Sequence, residues 1–375
     1  MKILFLIRSL NYAGAERQLV TLARGLHQRG HKVAVAVFYG GGPMEEELRK
    51  IGVPVRSLEK RGRWDTVGFI WRLIKLVRRD KPDILHGYLS MPNILAAIVG
   101  IIFSRVRIVW GVRASNVQLD EYDWLMRISY QIERHLSRLA DLIIVNSQAG
   151  LRHAVAKGFA REKMIVIPNG IDIDQFRPDP EARQRVRAEW GVNEDQVLIG
   201  LVGRIDPMKD HVTFLKSAAL LAKEHKHFVF ACVGRSCEPD KQRLVELSKE
   251  LGIADYLIWS DARPDMPAVY NALDVLVSSS RSEGFSNVIA EAMACDAPCV
   301  VTDVGDSAII VAASGEVVPP RDVEAMKAAT IRCVKKSRAD YEKQTRRQRI
   351  ADQFSVMELE ARTEAALLNL CKNIA

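Results

Sequence analysis

Two carboxylates, Glu283 and Glu291, stand in the run Ser282-Glu283-Gly284-Phe285-Ser286-Asn287-Val288-Ile289-Ala290-Glu291. The spacing places the first where a strand, Asp274–Ser278, gives way to a turn. The second falls about two turns into a helix that begins near Ser286. Gly284, Phe285 and Ser286 then present unpaired backbone N–H groups at a helix start, which attracts an anion or a set of hydroxyls. One carboxylate before such a site and one beyond it suit a ligand that carries both phosphate and sugar, as a nucleotide sugar does. A glutamate on a helix is by itself more often a solvated or salt-bridged side chain than a ligand contact. Its company decides. Upstream, Val202-Gly203-Arg204-Ile205-Asp206-Pro207-Met208-Lys209-Asp210 also follows an apolar strand and precedes a helix. Arg204 and Lys209 are placed to converge on a diphosphate, the first as a fork and the second as a point charge.

These stretches, with Gly14-Ala15-Glu16-Arg17 after the first strand and Pro168-Asn169-Gly170-Ile171-Asp172 at mid-chain, carry a resemblance. The chain resembles the retaining glycosyltransferases of family 4, which have the GT-B fold, over nearly its whole length. The specific part is the Gly203-Arg204 to Lys209 stretch followed by the Glu283-to-Glu291 motif. The resemblance implies that Arg204 and Lys209 hold the diphosphate and stabilise the departing nucleotide. It implies that Glu291 accepts hydrogen bonds from ribose hydroxyls. The amides of Gly284, Phe285, Ser286 and Asn287 would bind sugar or phosphate oxygens, with Glu283 beside the transferred sugar. Whether Glu283 is a nucleophile or the leaving phosphate takes the acceptor proton in a front-face route stays open. Trp259-Ser260-Asp261-Ala262-Arg263 matches the segment that reads the nucleobase. Asp261 stands where the family usually has Gly, which leaves the base open, and Arg263 is either a donor contact or a surface residue. On the acceptor side the resemblance points to Gly14, His86 and Arg113, with His86 expected at the end of a strand. Glu16 is either a ligand contact or a charge that suits the first helical turn. The catalytic group expected is thus Glu283, His86, Arg204 and Lys209. The family usually needs no divalent metal, so no metal and no cofactor are expected beyond the sugar nucleotide as co-substrate. Asp172 and Asp174 have a metal-like spacing but precede the expected linker.

The elements that must carry these residues read as two α/β units. The chain has 375 residues, which favours two domains over one. Ile3–Ile7, His31–Phe38, Val106–Trp110 and Leu142–Val145 read as strands, and Asp83–His86 as a short strand end. Strands at Val197–Val202, Phe228–Val233, Tyr256–Trp259, Asp274–Ser278 and Cys299–Thr302 repeat the scheme. Alternation with helices means parallel sheets covered on both faces. Two prolines, Pro178 and Pro180, interrupt the pattern. The expected division is a Rossmann-like acceptor domain over 1–178, joined by the last helix at 357–375, and a Rossmann-like nucleotide-sugar domain over 179–356. Crossing of the last helix back to the first domain is implied by the resemblance. Ligands bind at the carboxyl ends of strands in such sheets. In a two-domain arrangement those edges would line a cleft whose closure excludes water.

Composition narrows the setting. No segment reaches the ~18 apolar residues that span a bilayer. Met1–Ile7 reads as a buried strand and not as a signal peptide, so a cytoplasmic enzyme is expected. The six cysteines lack convincing zinc spacings and read as free core thiols of a reducing compartment. The net charge of +8 is uneven: residues 1–185 carry 30 Lys+Arg and 18 Asp+Glu (30 − 18 = +12), and the remainder 24 − 28 = −4. The first half therefore faces something anionic, nucleic acid or the cytoplasmic leaflet. Between Lys60 and Lys81, Trp64, Phe69, Trp71, Leu73 and Leu76 mingle with Arg72, Lys75, Arg78 and Arg79. This suits either a helix lying in an anionic membrane interface or a sheet-covering helix with a basic outer face. The apolar run Ile94–Phe103 is either a buried helix or a shallow insertion.

The expected activity is transfer of a hexosyl or N-acetylhexosaminyl group from a nucleotide-diphosphate sugar, UDP-linked by preference. The expected acceptor is a polyprenyl-diphosphate-linked glycan in surface polysaccharide, O-antigen or lipopolysaccharide assembly at the cytoplasmic face of a membrane. A GT-B epimerase or hydrolase would instead release free sugar. A dinucleotide oxidoreductase is disfavoured because neither Arg8–Gly14 nor Gly203–Asp210 contains G-x-G-x-x-G. No aromatic-basic platform or helix-turn-helix supports nucleic-acid binding, so no nucleic-acid partner is expected.

Overall fold

The computed structural model describes residues 1–62, 65, 67–113, 124–235, 237–337 and 343–372. The chain forms two compact units, Met1–Gly170 with Val356–Ala375, and Ile171–Ser355. The division falls after Gly170, before the proline pair. Ile171 and Ser355, the first and last residues of the second unit, form a parallel bridge within it, and the Ile171 N–H donates to the Phe354 carbonyl at 2.7 Å.

The sheet of the first unit contains β1 (Lys2–Ile7), β2 (Lys32–Val37), β3 (Val55–Ser57), β4 (Ile84–Tyr88), β5 (Arg107–Val112), β6 (Leu142–Val145) and β7 (Met164–Val166). Their order is β3-β2-β1-β4-β5-β6-β7, and every pair is parallel. β1 is Lys-Ile-Leu-Phe-Leu-Ile, and all but its first residue are buried, as a central parallel strand covered on both faces requires. The order reverses between β1 and β4, the place where doubly wound sheets open a crevice. The helix Gly14–Gln28 buries Leu19, Leu22, Ala23 and Leu26 on one face of the sheet. The last helix, Val356–Lys372, joins the same core through Leu359 and Leu367. On its outer side Glu364 meets His31 at 2.7 Å and Arg29 at 3.0 Å.

The sheet of the second unit contains β8 (Val197–Val202), β9 (Phe228–Val233), β10 (Leu257–Ser260), β11 (Val275–Ser278), β12 (Cys299–Thr302) and β13 (Glu316–Val318). The order is β10-β9-β8-β11-β12-β13, again all parallel, and it reverses between β8 and β11. Those two neighbouring strands launch the two motif loops. Sequence order separates Lys209 from Glu283 by a helix, a strand and more, but the switch point lays their loops side by side.

One expectation changes here, and one helix is placed. His86 does not end its strand: β4 runs on through Gly87 and Tyr88, which pair with Trp110 and Gly111. Within residues 60–81, Phe69, Leu73 and Leu76 are core residues of the helix Val67–Asp80, while Val67 and Trp71 are exposed. Trp64 lies outside the described residues. Among the described residues no helix is long and apolar enough to cross a membrane.

Candidate active site

After β8 the chain turns through Gly203 and Arg204 into the single turn Pro207–Lys209, and a helix starts at His211. After β11 it runs through Ser279–Ser282 to Glu283, Gly284 and Phe285, and the helix Asn287–Ala294 follows. The loops are laced to their neighbours by backbone bonds. Gly203 N–H donates to Val233 O at 2.9 Å, Ile205 N–H to Arg235 O at 2.9 Å, and Asp306 N–H to Gly284 O at 2.9 Å. Two glycines permit this closeness. A Cβ on Gly234 would strike the Gly203 carbonyl, and one on Gly305, whose φ is +61°, would strike the Glu283 carbonyl.

The result is a cationic and an anionic side chain in contact. Lys209 Nζ lies 2.5 Å from Glu283 Oε1, and Ser280 Oγ donates to the same oxygen at 2.7 Å. Both side chains are largely sheltered from water, so the pair is stronger than a surface ion pair. Arg204 behaves differently. Its side chain is 72% exposed and rests 3.5 Å from Asp206, free to swing onto an arriving anion. Glu291 lies about one turn into the next helix, 6% exposed, where it accepts a 2.7 Å hydrogen bond from the Tyr270 hydroxyl. Phe285 and Ser286 are buried at the helix start, and Gly284 and Asn287 are half-buried. This arrangement offers fixed positive charge, backbone donors and two carboxylates along one edge of one sheet. Such a set stabilises a phosphate leaving group while gripping sugar hydroxyls.

Arg263 stands apart from this group. Its guanidinium is spent on Glu189 and on Asp265, with Nε 2.9 Å from Asp265 Oδ1, and it lies over the Trp190 ring at 6.0 Å. The hydrogen bonds to Asp265 and then Glu189 push its pKa further up. A guanidinium so paired fastens the helix Pro180–Glu189 to the segment after β10.

In the first unit the expected acceptor residues occupy different settings. Gly14 is exposed at the first position of its helix, which no side chain caps. The pKa of Glu16 in that first turn is raised, by burial. His86 is fully buried between Phe5 and Tyr88, at ring distances of 5.2 and 4.9 Å, and neither ring nitrogen has a hydrogen-bond partner among the described residues. Burial, and then the charge of Arg113, pull its pKa down to about 3. It is a neutral core residue whose ring is not presented at the surface. Arg113 donates to the Tyr88 hydroxyl at 2.8 Å and to Asn169 Oδ1 at 2.7 Å.

Sequence reasoning missed several supporting residues. Gln18 is 2% exposed and clasps the backbone of Gly170 twice, accepting from its N–H at 2.8 Å and donating to its carbonyl at 2.9 Å. This pins the Pro168-Asn169-Gly170 turn and so the partner of Arg113. Ser280 sat three residues before Glu283 and was legible as a hydroxyl near a carboxylate. Tyr270 and Gln18 reach their partners across the fold and left no local signal.

Two family models match. The one described as Glycosyltransferase Family 4 covers residues 12–175, and the one described as Glycosyl transferases group 1 covers residues 182–351. The chain is 34% identical over 190 residues to the D-inositol 3-phosphate glycosyltransferase of Mycolicibacterium smegmatis. That stretch is 49% of this chain and 43% of that protein, so the match spans under half of the relative's length. Among solved structures, HepE of Anabaena in complex with UDP superposes with a TM-score of 0.87 at 21% identity, covering 98% of this chain and 100% of that one. WaaG, a glycosyltransferase involved in lipopolysaccharide biosynthesis, superposes with a TM-score of 0.74 at 16% identity, covering 96% and 98%. At these identities the structures speak to the fold, which is GT-B.

Proposed function

The chain belongs to the family 4 glycosyltransferases and has their GT-B fold, and from that premise we propose that it is a retaining enzyme. It moves a hexosyl or N-acetylhexosaminyl group from a UDP-sugar to a lipid-linked glycan in surface-polysaccharide or lipopolysaccharide assembly, without a divalent metal. The observation that carries this reading is the Lys209–Glu283 contact beside Arg204 and the helix start at Asn287. The HepE complex with UDP supports the choice of nucleotide, and the WaaG likeness supports the class of pathway.

In the unliganded chain Lys209 and Glu283 neutralise each other. An arriving diphosphate competes for the Lys209 ammonium, and Arg204 folds onto it from solvent. Glu283 is thereby released to accept a hydroxyl of the transferred sugar. The bond from the anomeric carbon to the diphosphate oxygen breaks, and its electron pair stays on that oxygen, where Lys209, Arg204 and the loop amides hold the charge. The acceptor oxygen bonds the same face of the anomeric carbon, and its proton passes to the departing phosphate. Glu291, fixed by Tyr270, holds the ribose. The exposed Val67 and Trp71 with Lys75, Arg78 and Arg79 would rest on anionic lipid at the cytoplasmic face. Incubation of the protein with a panel of UDP-sugars and a polyprenyl-diphosphate glycan, in chelator, tests the reading. A glycosylated lipid with retained anomeric configuration is the expected product. Free sugar in the absence of acceptor would convert the reading to a hydrolase or epimerase.

A further inference from the structure

Asp210 follows Lys209 and has an unusual backbone. Its φ and ψ are 49° and 54°, left-handed values that are strained for a residue other than glycine. Its side chain explains what holds it there. The carboxylate is entirely buried; Oδ1 accepts from Arg281 Nη2 at 2.9 Å and Oδ2 from Thr213 Oγ1 at 2.8 Å. Burial opposes its charge, yet the bonds from Arg281 and Thr213 outweigh that and hold its pKa below the usual carboxylate range.

More bonds join the same two segments. Arg281 N–H donates to Met208 O at 2.7 Å, and Ser279 Oγ lies 2.9 Å from Lys209 O and 3.0 Å from Asp210 O. Each ties the backbone on either side of Lys209 to the residues just before Glu283. None involves the side chains of Lys209 or Glu283. The two groups that the proposed reaction uses are carried on the two halves of one clamp, and the clamp's charged member is the Asp210–Arg281 pair.

We propose that Asp210 and Arg281 are positioning residues whose ion pair sets the Lys209 ammonium where the donor diphosphate meets it. The proposal rests on the donor-site reading above. Lys209 has a long flexible stem, so an anchored backbone is what makes its point charge a fixed one. Cutting the clamp leaves the charge in place but lets it wander.

UDP affinity by calorimetry tests this on the full chain, with thermal unfolding measured alongside. The proteins are wild type, Arg281→Ala, Arg281→Lys, Lys209→Met and the double variant Arg281→Ala/Lys209→Met. Arg281→Ala is expected to weaken UDP binding by about tenfold, the scale of coupling between residues in one network. Arg281→Lys should recover much of the loss, because a cation again reaches Asp210. In the Lys209→Met background the Arg281 change should cost nothing further, since it acts through Lys209. A merely structural role predicts the same loss in both backgrounds, and that result overturns the proposal, as does wild-type affinity in Arg281→Ala. If Arg281→Ala does not fold, Asp210→Asn keeps the shape and the Thr213 contact and carries the same cycle. Failure of wild type to bind UDP, GDP or ADP overturns the donor-site reading and the proposal together, which separates the two failures.

Discussion

Glu291 shows how much one buried side chain can carry. Its carboxylate is held by Tyr270 inside the unit, on the helix whose start lies in the proposed donor site. A charged hydrogen bond of this kind is worth roughly 1.5–3 kcal/mol, so Glu291→Ala should weaken nucleotide binding about ten- to a hundred-fold. Glu291→Gln should fall between, and titration calorimetry reads both. The buried histidines make a second prediction. His86 and His211 have pKa values pulled down to about 3 and about 4, by burial first and then by the charges of Arg113 and Lys209, from an ordinary 6.5. Below pH 6.5 the unfolded chain takes up protons that the folded chain refuses. Stability should therefore be full above 6.5 and fall toward pH 4, by up to roughly 1.4 kcal/mol per pH unit for each histidine. Unfolding midpoints measured across that range should flatten in His86→Phe; an unchanged slope would remove His86 from the account. The identity of these groups was readable in the sequence, but their partners were not. Lys209 and Glu283 announced themselves by residue type after apolar strands, whereas Arg263 read equally as a donor contact or a surface residue, and its pairing with Glu189 and Asp265 left no local signal.

At the scale of elements, close backbone approaches hold the loops. Gly305 lies against the Glu283 carbonyl with φ +61°, so Gly305→Ala should cost about 1–3 kcal/mol and displace the Glu283 loop. Turnover falling further than the melting temperature explains is the expected mark. In the other unit, Gln18→Ala should leave both polar groups of Gly170 without their buried partner, at about 1–3 kcal/mol. Thermal unfolding reads that loss. The long central strands were legible because runs such as Val197–Val202 are apolar throughout, as buried parallel strands must be. The edge strands Val55–Ser57, Met164–Val166 and Glu316–Val318 were not, since three residues make no pattern. His86 was misplaced by the same weakness: the short run Asp83–His86 read as a strand end, and only pairing with β5 shows that Gly87 and Tyr88 continue the strand.

At the scale of the whole molecule, length and strand–helix alternation told of two α/β units, composition of an uneven charge, and the fold is that of the GT-B glycosyltransferases. The basic half carries Val67 and Trp71 on an exposed helix face, with Lys75 lying over the Trp71 ring. Flotation with vesicles containing anionic lipid should carry the protein upward, and Trp71→Glu with Lys75→Glu should abolish it. Absence of binding in wild type would leave that helix as a sheet cover only. The central claim is the donor site itself. It is tested most directly by calorimetry of wild type and Glu291→Ala against UDP, GDP and ADP in chelator. The account predicts binding of UDP in preference to the others, and weaker binding by the variant. No binding to any of the three, or affinity unchanged by the substitution, would contradict it.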